Sequence, residues 1–117
     1  MKHLILTIPA SLKRDAADIL HSVDYIEGFT LIDVEGHGTQ SENDPFLSPR
    51  DKVVGYTPRA RVELLLEDKQ VTPLLEALRE SKLGANKHIV YWVTDIQESG
   101  RLNIPDIKND QSNEGVK

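Results

Sequence analysis

The sequence FTLIDVEGHGTQSENDPFLSPRDKVVGYTPRARVELLLE, residues 29–67, places a long irregular segment between two strand patterns. Residues 29–35 divide between two faces at alternate positions, which is typical of a β-strand, and a second strand pattern covers residues 59–67 after Pro58. The segment between them, residues 36–57, has no sustained periodicity. Loops longer than about 12 to 15 residues are uncommon in small domains and are usually functional or disordered. We therefore predict a functional loop between the second and third strands.

The flanking sequence supplies the other elements of a small α+β domain. An apolar run at residues 3–8 predicts the first strand, and residues 88–94, HIVYWVT, are rich in the β-branched and aromatic residues of a fourth strand. Apolar residues at helical spacing follow the first and third strands: Leu12, Ala16, Ile19, Leu20 and Val23, then Val71, Leu74, Leu75 and Leu78. The order βαββαβ predicts a ferredoxin-like fold, with a four-stranded antiparallel sheet and two helices on one face.

The ends of the two helices have sequence signals of their own. Ser11 is a candidate N-cap for the first helix, and Asp68 or Thr72 for the second. Gly84 is a candidate stop for the second helix, because glycine is favoured just past helix C-termini.

Length and composition indicate one globular domain. Of the 117 residues, 38% are hydrophobic and 28% charged, and we predict a domain at residues 1–102 and a flexible polar tail at 103–117. The net charge of −5 argues against nucleic-acid binding. Cysteine is absent, so neither disulfides nor thiolate metal ligands contribute. The N-terminal apolar run is too short for a signal or membrane-spanning segment, which predicts a cytoplasmic protein that is not inserted in a membrane.

Both faces of the predicted sheet are apolar. One set of alternating residues would face the helices, and a second set would face away: Ile5, Ile32, Val34, Leu65, Val90 and Trp92. Leaving about five such side chains in water would forgo roughly 8 to 12 kcal/mol, comparable with a domain stability of about 5 to 15 kcal/mol. We therefore predict that the second face, with Trp92, is buried in an oligomer; the alternative is that the tail covers it.

No catalytic motif is present, which predicts a protein that is not an enzyme. The sequence has no P-loop, no Gly-x-Ser-x-Gly and no His-Glu-x-x-His. Gly36 and Gly38 flank His37 at the end of the second strand, where they would permit an anion-binding turn or simply begin the loop. His37 and Glu35 are candidate ligands for a divalent metal if another histidine converges on them, although a solvated loop histidine is the alternative.

Four basic residues could reach an anion near the loop. Lys87 lies just before the fourth strand, and Arg59 and Arg61 flank the return of the loop. Arg101 follows the fourth strand. Guanidinium groups bind anions through forked contacts, although each of these residues could equally be an ordinary surface cation.

Several segments resemble the PII signal-transduction proteins. The segment Gly36-His37-Gly38-Thr39-Gln40 is similar to the exit from the second PII strand, and PRARVEL at residues 58–64 is similar to the return of the PII loop. Gly84-Ala85-Asn86-Lys87 resembles part of the loop before the fourth strand. The resemblance covers about residues 1–102. With GFT, GHG, YWVT and ESGRL, the whole pattern also resembles a small PII-like bacterial family of unknown function that often accompanies heavy-metal efflux systems.

The resemblance implies a homotrimeric regulator with a ligand cleft between subunits. Gly36, Gly38, Gln40, Lys87 and Arg101 would line this cleft, which binds ATP or ADP in PII proteins. The loop at residues 36–57 would contact a partner protein, such as a membrane transporter. The alternative function is a metal-binding or heavy-metal-tolerance protein similar to the trimeric CutA fold, with His37 and Glu35 as ligands.

Overall fold

The computed structural model describes residues 1–37 and 56–103. The elements are β1 (Lys2–Pro9), α1 (Lys13–His21), β2 (Thr30–Gly36), β3 (Thr57–Leu66), α2 (Asp68–Glu80) and β4 (Val90–Asp95). Short 3-10 turns, Ala10–Leu12 and Lys82–Ala85, precede α1 and follow α2. The predicted α+β, ferredoxin-like order βαββαβ is confirmed.

The four strands are antiparallel and lie in the order β2–β3–β1–β4. At one end of the sheet, which we call the loop end, Gly36 pairs with Thr57. At the opposite end, which we call the tail end, Thr30 pairs with Glu63 and β4 runs out toward residue 103. Residues at the two ends are therefore separated by the length of β2.

The core lies between one face of the sheet and the two helices. Leu4, at the centre of β1, pairs with Leu64 of β3 and with Val93 of β4. The buried residues are Leu4, Leu6, Ile8, Ala60, Val62, Leu64 and Leu66 from the strands and Ala16, Leu20, Leu74 and Leu78 from the helices. Their alternation along β1 and β3 agrees with the face that the sequence assigns to the helices.

The second face of the sheet, which we call the open face, is not covered by any helix within residues 1–37 and 56–103. Ile32 and Trp92 each remain 42% exposed, and Leu65 and Val90 remain 50% and 56% exposed. Ile5, on the central strand, is shielded by its neighbours. The two-sided distribution of apolar residues is thus confirmed, and the burial of this face in an oligomer stays a prediction.

The N-terminal caps differ from the sequence predictions. Ser11 lies inside a 3-10 turn, and no side chain caps α1. The cap residue of α2 is Glu67, not Asp68 or Thr72, and its N–H donates to Oε1 of Gln70 at 2.8 Å. Capping depends on backbone dihedral angles, which residue type indicates only weakly.

The helix α2 also ends earlier than predicted. Its last residue is Glu80, and Ser81 turns the chain because its hydroxyl donates to the carbonyl of Leu78 at 2.6 Å and accepts from the N–H of Leu83 at 3.1 Å. Gly84 lies in the following 3-10 turn rather than at the helix end.

Removing the Gln70 side chain should weaken the start of α2. We expect Gln70→Ala to lower the free energy of unfolding by about 1 kcal/mol, since the N–H of Glu67 loses its acceptor. Gln70→Glu retains an acceptor oxygen and should be close to wild type, as should Lys69→Ala on the exposed neighbouring position. Urea denaturation of the three variants tests this. Equal stability of Gln70→Ala and Lys69→Ala would contradict it.

Candidate functional site

At the loop end of the sheet, Arg59 joins the end of β2 to the segment before β4. A Cβ atom added to Gly36 would lie 2.7 Å from Cδ and Nε of Arg59, so this side chain passes directly over the glycine. The Nη1 atom of Arg59 donates to the carbonyl of His88 at 3.2 Å. Gly36 and Lys87, which precedes His88, are therefore brought to the same end of the sheet, and their place in a cleft between subunits stays a prediction.

The turn that carries Lys87 is anchored by its neighbour. Asn86 is buried, its N–H donates to the carbonyl of Leu83 at 3.1 Å, and its Oδ1 accepts from the N–H of His88 at 2.6 Å. Lys87 itself is exposed. The ammonium group thus stands in solvent on a turn whose backbone is held on both sides.

The tail end of the sheet contains a cavity of about 660 Å³. It lies between the beginning of β2, the end of β3, the first turn of α2 and the segment after β4. Among its lining residues are Tyr25, Phe29, Thr30, Leu65, Gln70 and Arg101. The volume falls within the range of about 300 to 1,000 Å³ that small-molecule sites occupy.

The edge of β3 is exposed along this cavity. Because Thr30 and Glu63 form the first pair between β2 and β3, the last three residues of β3, Leu64–Leu66, have no partner on β2. Alternate residues of an antiparallel strand direct both the N–H and the C=O to the same side. At least one of these three residues therefore directs its backbone N–H donor and its backbone C=O acceptor away from β1, toward the cavity side.

Carboxylates dominate the charge around the cavity. Glu27, Glu63 and Glu67 line it, and Arg101 supplies the side-chain cation. The amino group of Met1 also lies at the rim, but it pairs with Asp68 at 2.9 Å. The hydrogen bond from this ammonium lowers the pKa of Asp68. The cavity therefore suits a neutral group with hydrogen-bond donors better than it suits a phosphate.

One chain does not bring all the predicted ligand residues together. Thr30 and Gly36 are six residues apart on β2, which at about 3.3 Å per residue separates the two ends by about 20 Å. Lys87 belongs to the loop end and Arg101 to the tail end. Gly38 and Gln40 lie outside the described residues, as does most of the loop at 36–57 and the tail from residue 104.

The three arginines do not converge either. Arg59 is at the loop end, and Arg61 lies in the middle of the open face, where its Nε is 2.8 Å from Oε2 of Glu63. Arg101 borders the cavity. One chain therefore does not bring the three arginines together, and their binding of an anion stays a prediction.

The candidate metal ligands are neighbours at the base of the loop. His37 Nε2 lies 3.2 Å from Oε1 of Glu35, and both side chains are more than half exposed. The ring of His37 also lies 5.9 Å from that of Tyr56. In residues 1–37 and 56–103, no third histidine, aspartate or glutamate joins the pair to complete a metal-binding group.

Comparison with known proteins places the chain in a family. Residues 1–103 match the family described as "Protein of unknown function (DUF3240)". The chain belongs to the DUF3240 family. A DUF3240 protein from Shewanella baltica OS155 has a crystal structure similar to this one, with a TM-score of 0.68 at 22% identity, covering 87% of this chain and 96% of that protein.

Other proteins similar to the present chain are PII proteins. The nitrogen regulatory protein P-II of Rhodospirillum rubrum is 25% identical over 99 residues, which are 81% of this chain and 88% of the relative. The structure of CPII, a PII-like protein of Thiomonas intermedia K12 bound to ADP, AMP and bicarbonate, has a TM-score of 0.62 at 22% identity and covers 86% of this chain and 94% of that protein. The predicted resemblance to PII-like proteins and the fold are confirmed, whereas the association with heavy-metal efflux stays a prediction.

Sequence reasoning missed most of the cavity in this DUF3240 protein. The sequence places Phe29 at the start of a strand and Glu63 and Leu65 within one, and none of the three carries a sequence signal of a cavity. The available signal was strand length, because a third strand that extends beyond the second strand leaves an unpaired edge. None of the helices in the described part of the chain is long and apolar enough to cross a bilayer.

Proposed function

We propose that this DUF3240 protein is a non-enzymatic, cytoplasmic PII-like regulator that binds an adenine nucleotide in a cleft between two copies of the chain. The observation that carries the proposal is the presence of two unlike half-sites at opposite ends of one sheet. An acidic cavity lies at the tail end, and Gly36, Arg59 and Lys87 lie at the loop end. Joining the tail end of one copy to the loop end of another would make one continuous cleft.

The tail-end cavity has the properties of a base and ribose site. The unpaired edge of β3 offers an adjacent backbone donor and acceptor, which is the pattern needed to recognise the N1 and N6 edge of adenine. Phe29 and Tyr25 contribute aromatic surface to the cavity. The carboxylate of Glu67 could accept hydrogen bonds from ribose hydroxyls, whereas Glu63 and Glu67 together would repel phosphate.

The loop end has the properties of a phosphate site. Gly36 lacks a Cβ beneath Arg59, and the exposed Lys87 ammonium stands on an anchored turn nearby. Backbone amides next to glycine and an ammonium group are common phosphate ligands. We further propose that Gly38 and Gln40, outside the described residues, contribute from the loop.

The relatives support this choice of ligand class. CPII of Thiomonas intermedia is bound to ADP and AMP in its solved structures. The shared fold places equivalent strand ends in both proteins, although an identity of 22% does not by itself transfer the ligand.

The assembly that we propose is a homotrimer, as in the PII proteins that the sequence resembles. The open face supplies the apolar surface for it, since Ile32, Leu65, Val90 and Trp92 are 42% to 56% exposed. In this assembly the loop at residues 36–57 would contact a partner protein, such as a membrane transporter, and nucleotide binding at its base would set its order.

Calorimetric titration with ADP and AMP tests the proposal. We expect Lys87→Ala and Arg101→Ala each to weaken binding by about 10- to 100-fold, the usual effect of losing a hydrogen bond to a charged group. Lys82→Ala and Arg14→Ala remove exposed cations elsewhere and should leave the affinity unchanged. If neither nucleotide bound the wild type while Zn²⁺ did, the metal alternative with His37 and Glu35 would replace this proposal.

Mixing the two defective variants tests whether each cleft takes Lys87 from one chain and Arg101 from another. When Lys87→Ala and Arg101→Ala chains are refolded together, each mixed trimer should contain one cleft with both cations intact. The mixture should then show a class of sites with wild-type affinity that neither variant shows alone. Binding by the mixture equal to the sum of the two variants would contradict a shared cleft.

A further inference from the structure

The open face has a polar cluster at its centre. Glu63 is the one carboxylate that the described strands place on this face, and it lies between two basic side chains. His3 Nε2 is 3.1 Å from its Oε1, and Arg61 Nε is 2.8 Å from its Oε2. The guanidinium carbon of Arg61 lies 5.9 Å from the centre of the Trp92 ring. We call these four residues the open-face cluster.

Within one chain, the open-face cluster does not supply hydrogen-bond acceptors for all the donors of Arg61. Arg61 has five N–H donors, and its contact with Glu63 is an ion pair in which the Nε–H does not point at the oxygen. The side chain of Arg61 is 40% exposed and that of Glu63 is 25% exposed, so water reaches both. Covering the open face would remove this water, and unpaired charged donors are costly to bury.

An occupant of the open face must therefore supply acceptors at the cluster as well as apolar surface around it. An apolar segment would leave the guanidinium unpaired. A cyclic assembly supplies both groups in another way, because the open faces of its copies meet around one axis. The Arg61 guanidinium of one copy can then face the Glu63 carboxylate of the next.

We propose that Arg61 and Glu63 pair between copies across the open face, so that the cluster selects a second copy of this chain as the occupant. This inference rests on the proposed assembly and adds the residues that decide its partner. Trp92 packs beside the guanidinium and excludes water from the pair, as aromatic residues do at energetic centres of interfaces.

Charge reversal tests the pairing. In sedimentation velocity, Arg61→Glu and Glu63→Arg should each raise the dissociation constant of the assembly by at least about 30-fold, because each leaves like charges facing at the interface. A mixture of the two variants should associate at least about tenfold more tightly than either alone, since opposite charges then meet at two of the three interfaces of each mixed trimer. Arg61→Gln and Glu63→Gln, which preserve side-chain size, should weaken association less but in the same direction.

Matched controls lie on the helix layer, where Arg14→Glu and Glu76→Arg make the same charge changes at exposed positions and should leave association unchanged. A wild-type assembly that neither reversal weakens, or a mixture no tighter than its components, would overturn the inference alone. A wild-type chain that stays monomeric at micromolar concentration would overturn the proposed assembly, and the inference with it.

Discussion

Gly84→Ala is expected to lower the free energy of unfolding by about 2 to 4 kcal/mol, in the range of large steric and strain effects. A Cβ atom at this position would lie 1.8 Å from the carbonyl oxygen of Arg79 and 2.6 Å from its carbonyl carbon. Both are backbone atoms, so no side-chain rotation can relieve the overlap. The last turn of α2 or the following 3-10 turn would have to move.

That movement is costly because both segments are fixed by burial. Leu78 and Leu83, on either side of the contact, are buried in the core, and Ser81 hydrogen bonds to both. Gly28→Ala and Gly100→Ala are matched controls, since a Cβ at either position would meet nothing within 4 Å. Both should stay within about 0.5 kcal/mol of wild type.

Urea denaturation at one fixed protein concentration measures these differences, because the stability of an assembling protein depends on concentration. If Gly84→Ala proved as stable as Gly100→Ala, the tight packing of the turn against α2 would be contradicted. The outcome also bears on the site, since the same turn leads through buried Asn86 to Lys87.

The role of Gly84 shows where sequence reasoning stops. A glycine after a helical stripe predicts a nearby helix end, and α2 does end close to it. The reason for the glycine is nevertheless close backbone contact in the next turn, which depends on how the chain folds back onto α2. The cap at Glu67 was missed for a similar reason, because the Gln70 side chain reaches back to it only once the first turn has formed.

The fold itself was predictable because it follows from periodicity. Alternation along β1, β3 and β4 assigns Leu4, Leu64 and their neighbours to the core, and it leaves Leu65 and Trp92 on the other face. The right-handed crossover of each βαβ unit then places both helical stripes on one face of the sheet. The fold is therefore specified by many residues whose local patterns all favour the same arrangement.

The candidate site was only half predictable. Gly36 and Lys87 are at one end of the sheet because two loops return there, which the element order already implies. The position of Arg101 beside the cavity depends on the path of the chain after β4, and the cavity depends on the unequal lengths of β2 and β3. The path after β4 has no local sequence signal, and the unequal strand lengths emerge only when the two strand patterns are compared. By contrast, Arg61 and Glu63 are two residues apart on a predicted strand, so sequence spacing already places both on one face.

Ile32→Lys should weaken both the assembly and nucleotide binding. Ile32 is 42% exposed in the middle of β2 on the open face, away from the cavity and from the loop end. An ammonium group there would be buried without a partner beside Arg61, which pairs with Ile32 in the strand register. We expect the dissociation constant of the assembly to rise by at least about 100-fold.

The loss of nucleotide binding follows because neither end of a single sheet holds both half-sites. In sedimentation velocity Ile32→Lys should run as a monomer, and in calorimetry ADP should bind at least about tenfold more weakly, since only one half of the cleft remains. Thr72→Lys adds the same charge to an exposed position of α2 and should change neither measurement. A monomeric Ile32→Lys variant that bound ADP with wild-type affinity would place the whole site within one chain. The two ends of the sheet in one chain are about 20 Å apart, at about 3.3 Å for each residue of β2. That outcome would therefore contradict a cleft that uses both Lys87 and Arg101.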